Sequence, residues 1–160
     1  MKITRIAHIA VAAKQMEPIK AVFGDLFNLP VVHESRLANN TEVAMYGIGE
    51  MHIEVLHNPS ASSITGGFLE EKGSGYFHIC LEVENLEAAL AELTAKGVKL
   101  HEKSPRKGVV SSSVVFLDPA TTGGLLIELA EGSHAAGRSH DHGHGQNEQR
   151  QETKEINHGK

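Results

Sequence analysis

The sequence predicts an α+β chain built from two tandem β-α-β-β-β modules whose strands form one curved mixed sheet. Three observations carry this. A stretch of alternating residues, Ile6-Ala7-His8-Ile9-Ala10-Val11, has a partner in Tyr76-Phe77-His78-Ile79-Cys80-Leu81. Each is followed by residues with helical apolar spacing. Each half then closes on short β-rich runs, ending in Ile53-Glu54-Val55 and Ile127-Glu128-Leu129. Self-similarity at a fixed interval is the mark of a repeated unit.

In the first module, spanning about residues 3–58, the opening strand precedes a helix with Ile19, Val22, Phe23, Leu26 and Phe27 on one stripe. Pro18 suits its first turn, where a missing N–H costs little. Asn28 is a residue that tolerates the left-handed stop. Strands are expected over Pro30 to Glu34, Glu42 to Gly47 and Met51 to Leu56. A short linking helix is expected over Ser63 to Lys72, despite its Gly66-Gly67 pair.

The second module, about residues 75–131, repeats the plan. Its helix presents Leu86, Ala89, Leu90 and Leu93, starts after Asn85 as N-cap and stops at Gly97. Strands are expected over Val98 to Glu102, Ser112 to Leu117 and Leu125 to Ala130. Residues 1–131 then form one domain. From Gly132 onward large apolar residues nearly vanish, so residues 132–160 read as a His-rich disordered tail that cannot offset its ordering entropy. The alternating His140, His142 and His144 of that tail read either as weak, exchangeable metal capture or as incidental histidines of a solvated tail.

Composition narrows the function classes. A net charge of −5 and 4% aromatic residues argue against a nucleic-acid footprint. No apolar run reaches the roughly 20 residues of a membrane span, so the expectation is a soluble, cytoplasmic protein without membrane partners. The lone Cys80 has no internal disulfide partner and reads as a buried, inert thiol. Lys103, Arg106 and Lys107 around Pro105 form a small basic cluster, read either as a solvated loop or as a contact for a few phosphates.

The duplicated strands also duplicate chemistry. His8 and His78 stand 70 positions apart (78 − 8), and Glu54 and Glu128 stand 74 apart (128 − 54), the unequal offsets reflecting unequal loops. His8 shares its strand face with Ala10 and Ala12, whereas Ile9 and Val11 point the other way, toward a helix. By the same alternation His78, Glu54 and Glu128 face a common hollow. One histidine on a strand is usually just a hydrogen-bonded core or surface residue. Two histidines and two carboxylates at matching places of a repeat instead predict one divalent metal site, because facing buried carboxylates repel unless a cation lies between them. Mixed imidazole and carboxylate donors suit Zn, Co, Ni, Mn or Fe(II), and the residues leave that choice open. His52 and His57, flanking Glu54, are placed outside the metal's ligands, and Met45 and Met51 are read as space-fillers.

These residues resemble the vicinal oxygen chelate superfamily of glyoxalases and dioxygenases, whose paired modules surround a metal. The likeness covers nearly all of residues 3–131 and is strongest to methylmalonyl-CoA epimerases, through RIAHIAVAA, HIEVLHNP, FLEEKGSGYFHICLEV and TGGLLIELAE. It implies His8, Glu54, His78 and Glu128 as metal ligands, with Glu54 at a place where relatives carry Gln. It implies an isomerase that removes the α-proton of methylmalonyl-CoA or a related acyl-CoA through a metal-stabilised enolate. Glu128 is the first base it implies and Glu42 its partner, the residues themselves leaving Glu42 equally readable as a solvent-facing strand glutamate. The chain departs from the epimerase pattern at Gly108-Val109-Val110-Ser111-Ser112 and at Asp118-Pro119-Ala120, loops that the likeness places around the substrate. A glyoxalase-like lyase, an Fe(II) oxygenase of the same fold and a non-catalytic small-ligand or metal-binding module stay open as alternatives, and a homodimer is admitted.

Overall fold

The computed structural model describes residues 1–131; the expectations for the His-rich tail lie outside the described residues. Seven strands form one sheet: β1 (Ile3–Ala12), β2 (Val31–Arg36), β3 (Glu42–Ile48), β4 (Met51–His57), β5 (Gly75–Val83), β6 (Ser113–Phe116) and β7 (Ile127–Glu131). Their order is β2-β3-β4-β1-β5-β7-β6. The sheet is mixed: β1 runs parallel to β4 and antiparallel to β5, while β5 runs parallel to β7. The antiparallel pair β1 and β5 therefore sits centrally, with the rest of each module fanning outward.

Helix α1 (Met16–Ala21) packs on the outer face of the first module, where Met16, Ile19 and Phe23 meet Ala44, Tyr46 and Val55. Helix α3 (Leu86–Ala95) does the same in the second, with Leu86 and Ala89 against Val115, Leu117 and Leu129. Its predicted ends hold: the Asn85 side chain accepts from the Ala88 N–H, and Gly97 has φ +83. The linking helix α2 (Ile64–Lys72) covers part of the inner face, where Leu69, Ile64 and Phe68 join Ala10, Ala12, Met45 and Phe77. The Gly66-Gly67 pair has a packing cause, since a Cβ at Gly66 would lie 1.9 Å from the Ser60 carbonyl oxygen.

Two expectations are corrected. The apolar stripe of the first helix does not continue to Phe27, because Val22–Leu26 form a π-helical turn closed by the Phe27 N–H on the Val22 carbonyl. The wider turn rotates the stripe off the sheet, leaving Leu26 72% and Phe27 60% exposed. Asn28 then takes the left-handed conformation, φ 52, as expected. The strand expected over Val98 to Glu102 is reduced to a single bridge between Leu100 and Leu117. Beyond it the Glu102 side chain accepts from the Phe116 N–H at 3.0 Å, so a carboxylate replaces the strand backbone as partner for β6. The second module is thus one strand short of the first.

Candidate metal centre

The two modules meet in a register with pseudo-twofold symmetry. Across β1 and β5, His8 pairs with Cys80 and Ala10 with His78. In the flanking parallel pairs Ala10 stands beside Glu54 and Cys80 beside Glu128. Two rows result, Glu54-Ala10-His78 and His8-Cys80-Glu128, each with a small residue in the middle. Those small side chains leave room above the strands where the four longer ones converge.

Strand alternation alone does not produce this. The pairing skips Thr4 and Ala7 in β1 and Phe77 in β5, and Ala7 and Phe77 each stand immediately before a histidine. A bulge puts two successive side chains off the strict alternation and bends the strand. Ala7 and His8 are both buried, and so are Phe77 and His78. The bulges are themselves repeated, so both imidazoles are re-aimed by the same device.

His8, Glu54, His78 and Glu128 are buried. The His8 and His78 Nε2 atoms lie 3.1 Å apart. His8 Nε2 is 3.5 Å from Glu54 Oε2 and 3.3 Å from Glu128 Oε2, and His78 Nε2 is 3.7 Å from Glu128 Oε2. Donor atoms bound at about 2.0–2.2 Å to one tetrahedral ion stand about 3.3–3.6 Å from each other. The observed spacing brackets that range. Two imidazole nitrogens and two carboxylates crowded around His8 Nε2 also offer more acceptor lone pairs than donors, which a divalent cation would satisfy. The residues present therefore fit a metal.

The electrostatics follow from this crowding. Burial opposes ionisation of Glu128, but the adjacent His78 and His8 imidazoles outweigh it and hold the carboxyl well below the usual range. Burial likewise disfavours protonated His8, yet the charge of Glu54 and then Glu128 outweighs it, so the imidazole binds its proton more tightly than usual. The Cys80 thiol is pushed far up by burial and by Glu128, which keeps it protonated and inert at neutral pH.

Above this cluster opens a cleft of about 730 Å³. Its walls are the turn after β2 (Leu37, Asn39, Thr41), the start of α2 (Ser63, Ile64, Thr65) and the segment from Arg106 to Ser111. The loop at Gly108 to Ser111, singled out in the sequence as a departure, does line the cleft. Glu42 does not. It begins β3 on the face shared with Ala44 and Tyr46, opposite to Val43 and Met45, and it is ion-paired with Arg36. Among the described lining residues the carboxylates are Glu54 and Glu128. His52 and His57 stay outside the four, the latter with Nδ1 2.9 Å from the Ala13 carbonyl. Arg106, read from sequence as part of a basic loop, lines the cleft and faces Glu128, its Nη2 3.5 Å from Oε1. No sequence periodicity announced that, because Arg106 lies outside any regular element.

Residues 7–116 match the family model of the glyoxalase/bleomycin resistance protein/dioxygenase superfamily. The chain belongs to this superfamily. It is 30% identical over 129 residues to the mitochondrial methylmalonyl-CoA epimerase of Bos taurus, covering 79% of this chain and 74% of that one. It is 30% identical over 132 residues to the ethylmalonyl-CoA/methylmalonyl-CoA epimerase of Cereibacter sphaeroides, covering 81% and 98%. Among solved structures, a variant of the Streptomyces coelicolor methylmalonyl-CoA epimerase bound to 2-nitronate-propionyl-CoA superposes with a TM-score of 0.76 at 26% identity, over 82% of this chain and 99% of that one. These superfamily relatives are isomerases, and the curved mixed sheet agrees with the fold that the repeat predicted. Among the described residues no helix is long and apolar enough to cross a membrane.

Proposed function

We propose that the chain is a metal-dependent isomerase that epimerises methylmalonyl-CoA or a close acyl-CoA by removing and returning its α-proton. The observation that carries this reading is the buried cluster of His8, Glu54 and His78, with Glu128 3.3 Å from His8, beneath a cleft of about 730 Å³, within the roughly 300–1000 Å³ of small-ligand sites. A divalent ion held by His8, Glu54, His78 and Glu128 would supply Lewis-acid stabilisation to the thioester oxygen that gains charge as the proton leaves.

The protein's own groups move the proton. Glu128 presents Oε2 to the imidazoles and Oε1 toward the cleft, so Oε1 is the atom placed to take a proton from one face. Glu42, facing away, is replaced in this role by Glu54, the other carboxylate lining the cleft and the pseudo-twofold mate of Glu128. Paired groups on opposite sides suit a reaction that needs one to remove and another to deliver. Phe77 and Phe116 pack on His78, with ring centroids 5.0 and 4.9 Å away, and keep water from that side of the cluster. Four protein ligands also differ from the two-His-one-carboxylate set of Fe(II) oxygenases.

The test follows α-hydrogen exchange and stereochemical inversion of methylmalonyl-CoA in D₂O with metal-loaded protein. Wild type should do both, metal-free protein neither. Glu54→Gln, which keeps an oxygen donor, should retain one-sided exchange while inversion falls about 10²-fold. Absence of exchange with every acyl-CoA in a panel would refute the reading.

A further inference from the structure

The two carboxylates at the base of the cleft are related by the repeat but not by their surroundings. Glu54 stands in register between Ala10 of β1 and Met45 of β3. Glu128 stands between Cys80 of β5 and Phe116 of β6, and it has a cation beside it as well, with Arg106 Nη2 3.5 Å from Oε1. Its other oxygen faces the imidazoles, with Oε2 3.3 Å from His8 Nε2 and 3.7 Å from His78 Nε2. The two oxygens of Glu128 therefore have different partners.

Arg106 reaches that place because the second module is one strand short. Its sheet ends at β6, and the chain beyond the Leu100 bridge comes in against that strand as a loop. The Arg106 backbone exchanges two hydrogen bonds with Val114, at 2.8 and 2.7 Å. Its Nε donates to Glu102 Oε2 at 3.1 Å, and Glu102 Oε1 accepts from the Phe116 N–H at 3.0 Å. Its guanidinium carbon stands 5.3 Å over the Phe116 ring, a cation–π contact that orients the planar fork. Phe116 is in turn the register partner of Glu128. The contacts thus close a ring from Glu128 through Arg106, Glu102 and Phe116 back to Glu128.

A guanidinium braced in this way acts on Glu128 differently from a mobile cation. Arginine is always charged and its fork is rigid and planar, so with Nε committed to Glu102 the charge at Nη2 stays beside one particular oxygen. At 3.5 Å the contact is longer than the roughly 2.7–2.9 Å of a charge-assisted hydrogen bond, so it steers Oε1 by charge and leaves it open to the cleft. A carboxylate can offer a metal ion one oxygen or both. Attraction of Oε1 toward Arg106 opposes the second mode, because Oε1 would have to turn away from the guanidinium to join Oε2. Partners that orient a ligand from outside in this way are a regular part of metal sites.

We propose that Arg106 is a positioning residue of the metal centre, holding Glu128 so that Oε2 alone is offered to the ion while Oε1 stays turned to the cleft. Glu54, which lacks a lysine or arginine partner among the described residues, is the carboxylate left to adjust. The proposal rests on the metal-binding reading of the four donors and not on the choice of acyl-CoA.

The experiment titrates Co(II) into the metal-free full chain and follows its visible absorption, comparing wild type with Arg106→Gln, Arg106→Lys and Glu102→Gln. Arg106→Gln should lower the Co(II) affinity about 10- to 100-fold, the range for removing a partner of a metal ligand. The saturated variant should also show a weaker band, because a second oxygen of Glu128 raises the coordination number. Arg106→Lys, which returns the charge without the rigid fork, should restore part of the affinity. Glu102→Gln, which keeps Arg106 but loosens its anchor, should show a smaller loss than Arg106→Gln. The histidines beyond residue 131 are the same in every protein compared, so their own cobalt binding drops out of the differences. Unchanged affinity in Arg106→Gln overturns the proposal and leaves the metal reading standing. A lowered affinity with an unchanged band at saturation overturns it too, since Glu128 then keeps its binding mode without the arginine. Wild type that takes up no Co(II) removes the metal reading and this proposal with it.

Discussion

Metal affinity should depend on pH through His8, and in the opposite sense to the stability of the metal-free domain. His8 Nε2 stands 3.5 Å from one buried carboxylate and 3.3 Å from another. At an effective dielectric of about 20, each such contact is a gross attraction of about 5 kcal/mol for a protonated ring, before burial is set against it. The balance favours the proton, so the folded pKa of His8 lies above its ordinary value. The consequence for stability runs in one direction. A raised folded pKa contributes stability to the metal-free protein that is fully present below the unfolded value near 6.5 and is lost as pH rises through the folded value. A metal needs the neutral ring, so it must displace that proton. Below the folded pKa of His8, apparent affinity should rise about tenfold per pH unit for the one proton released, equivalent to about 1.4 kcal/mol. Co(II) titration at successive pH values measures the slope. Calorimetry in buffers of differing ionisation enthalpy counts the proton. An affinity flat from pH 5.5 to 8, or a metal-free melting temperature that climbs over the same interval, would refute the reasoning.

Three further outcomes are expected. Glu42→Gln should keep full metal content and exchange activity, because Glu42 is paired with Arg36 on the outer face; a loss of exchange at unchanged metal content would restore it as a base. Gly66→Ala should destabilise the metal-loaded domain by about 1–3 kcal/mol in denaturant melts, since its Cβ would lie 1.9 Å from a backbone oxygen that cannot swing away. Asn85→Ala should cost about 1 kcal/mol by removing the cap on the Ala88 N–H, with no change in metal affinity, because α3 lies on the opposite side of the sheet from the site.

The repeat was legible because a strand's side-chain period is fixed by covalent geometry. Ile9 and Val11 against His8, Ala10 and Ala12, and their counterparts around His78, announced two equivalent strands, each with one histidine at the matching place, without any knowledge of pairing. Asn85, Gly97 and Asn28 announced helix ends for an equally local reason, the hydrogen bonds and left-handed conformations those side chains accept. Glu42 shows where such reading stops. Alternation assigns faces within one strand, but the phase of β3 relative to β4 depends on the turn at Gly49, whose register pairs Glu42 with His57 and Met45 with Glu54. The same limit hid the bulges at Ala7 and Phe77, which exist only between paired strands, and the π-helical turn after Ala21. It hid Arg106 as well, whose backbone is pinned to Val114 and whose side chain is aimed by Glu102 and Phe116. The sequence by itself determined the matching strands and the two histidines and two carboxylates they carry, since period and residue type are local properties. The tertiary structure decided which carboxylates share the cleft and that Arg106 lines it, because register, bulging and loop placement arise only when strands pair.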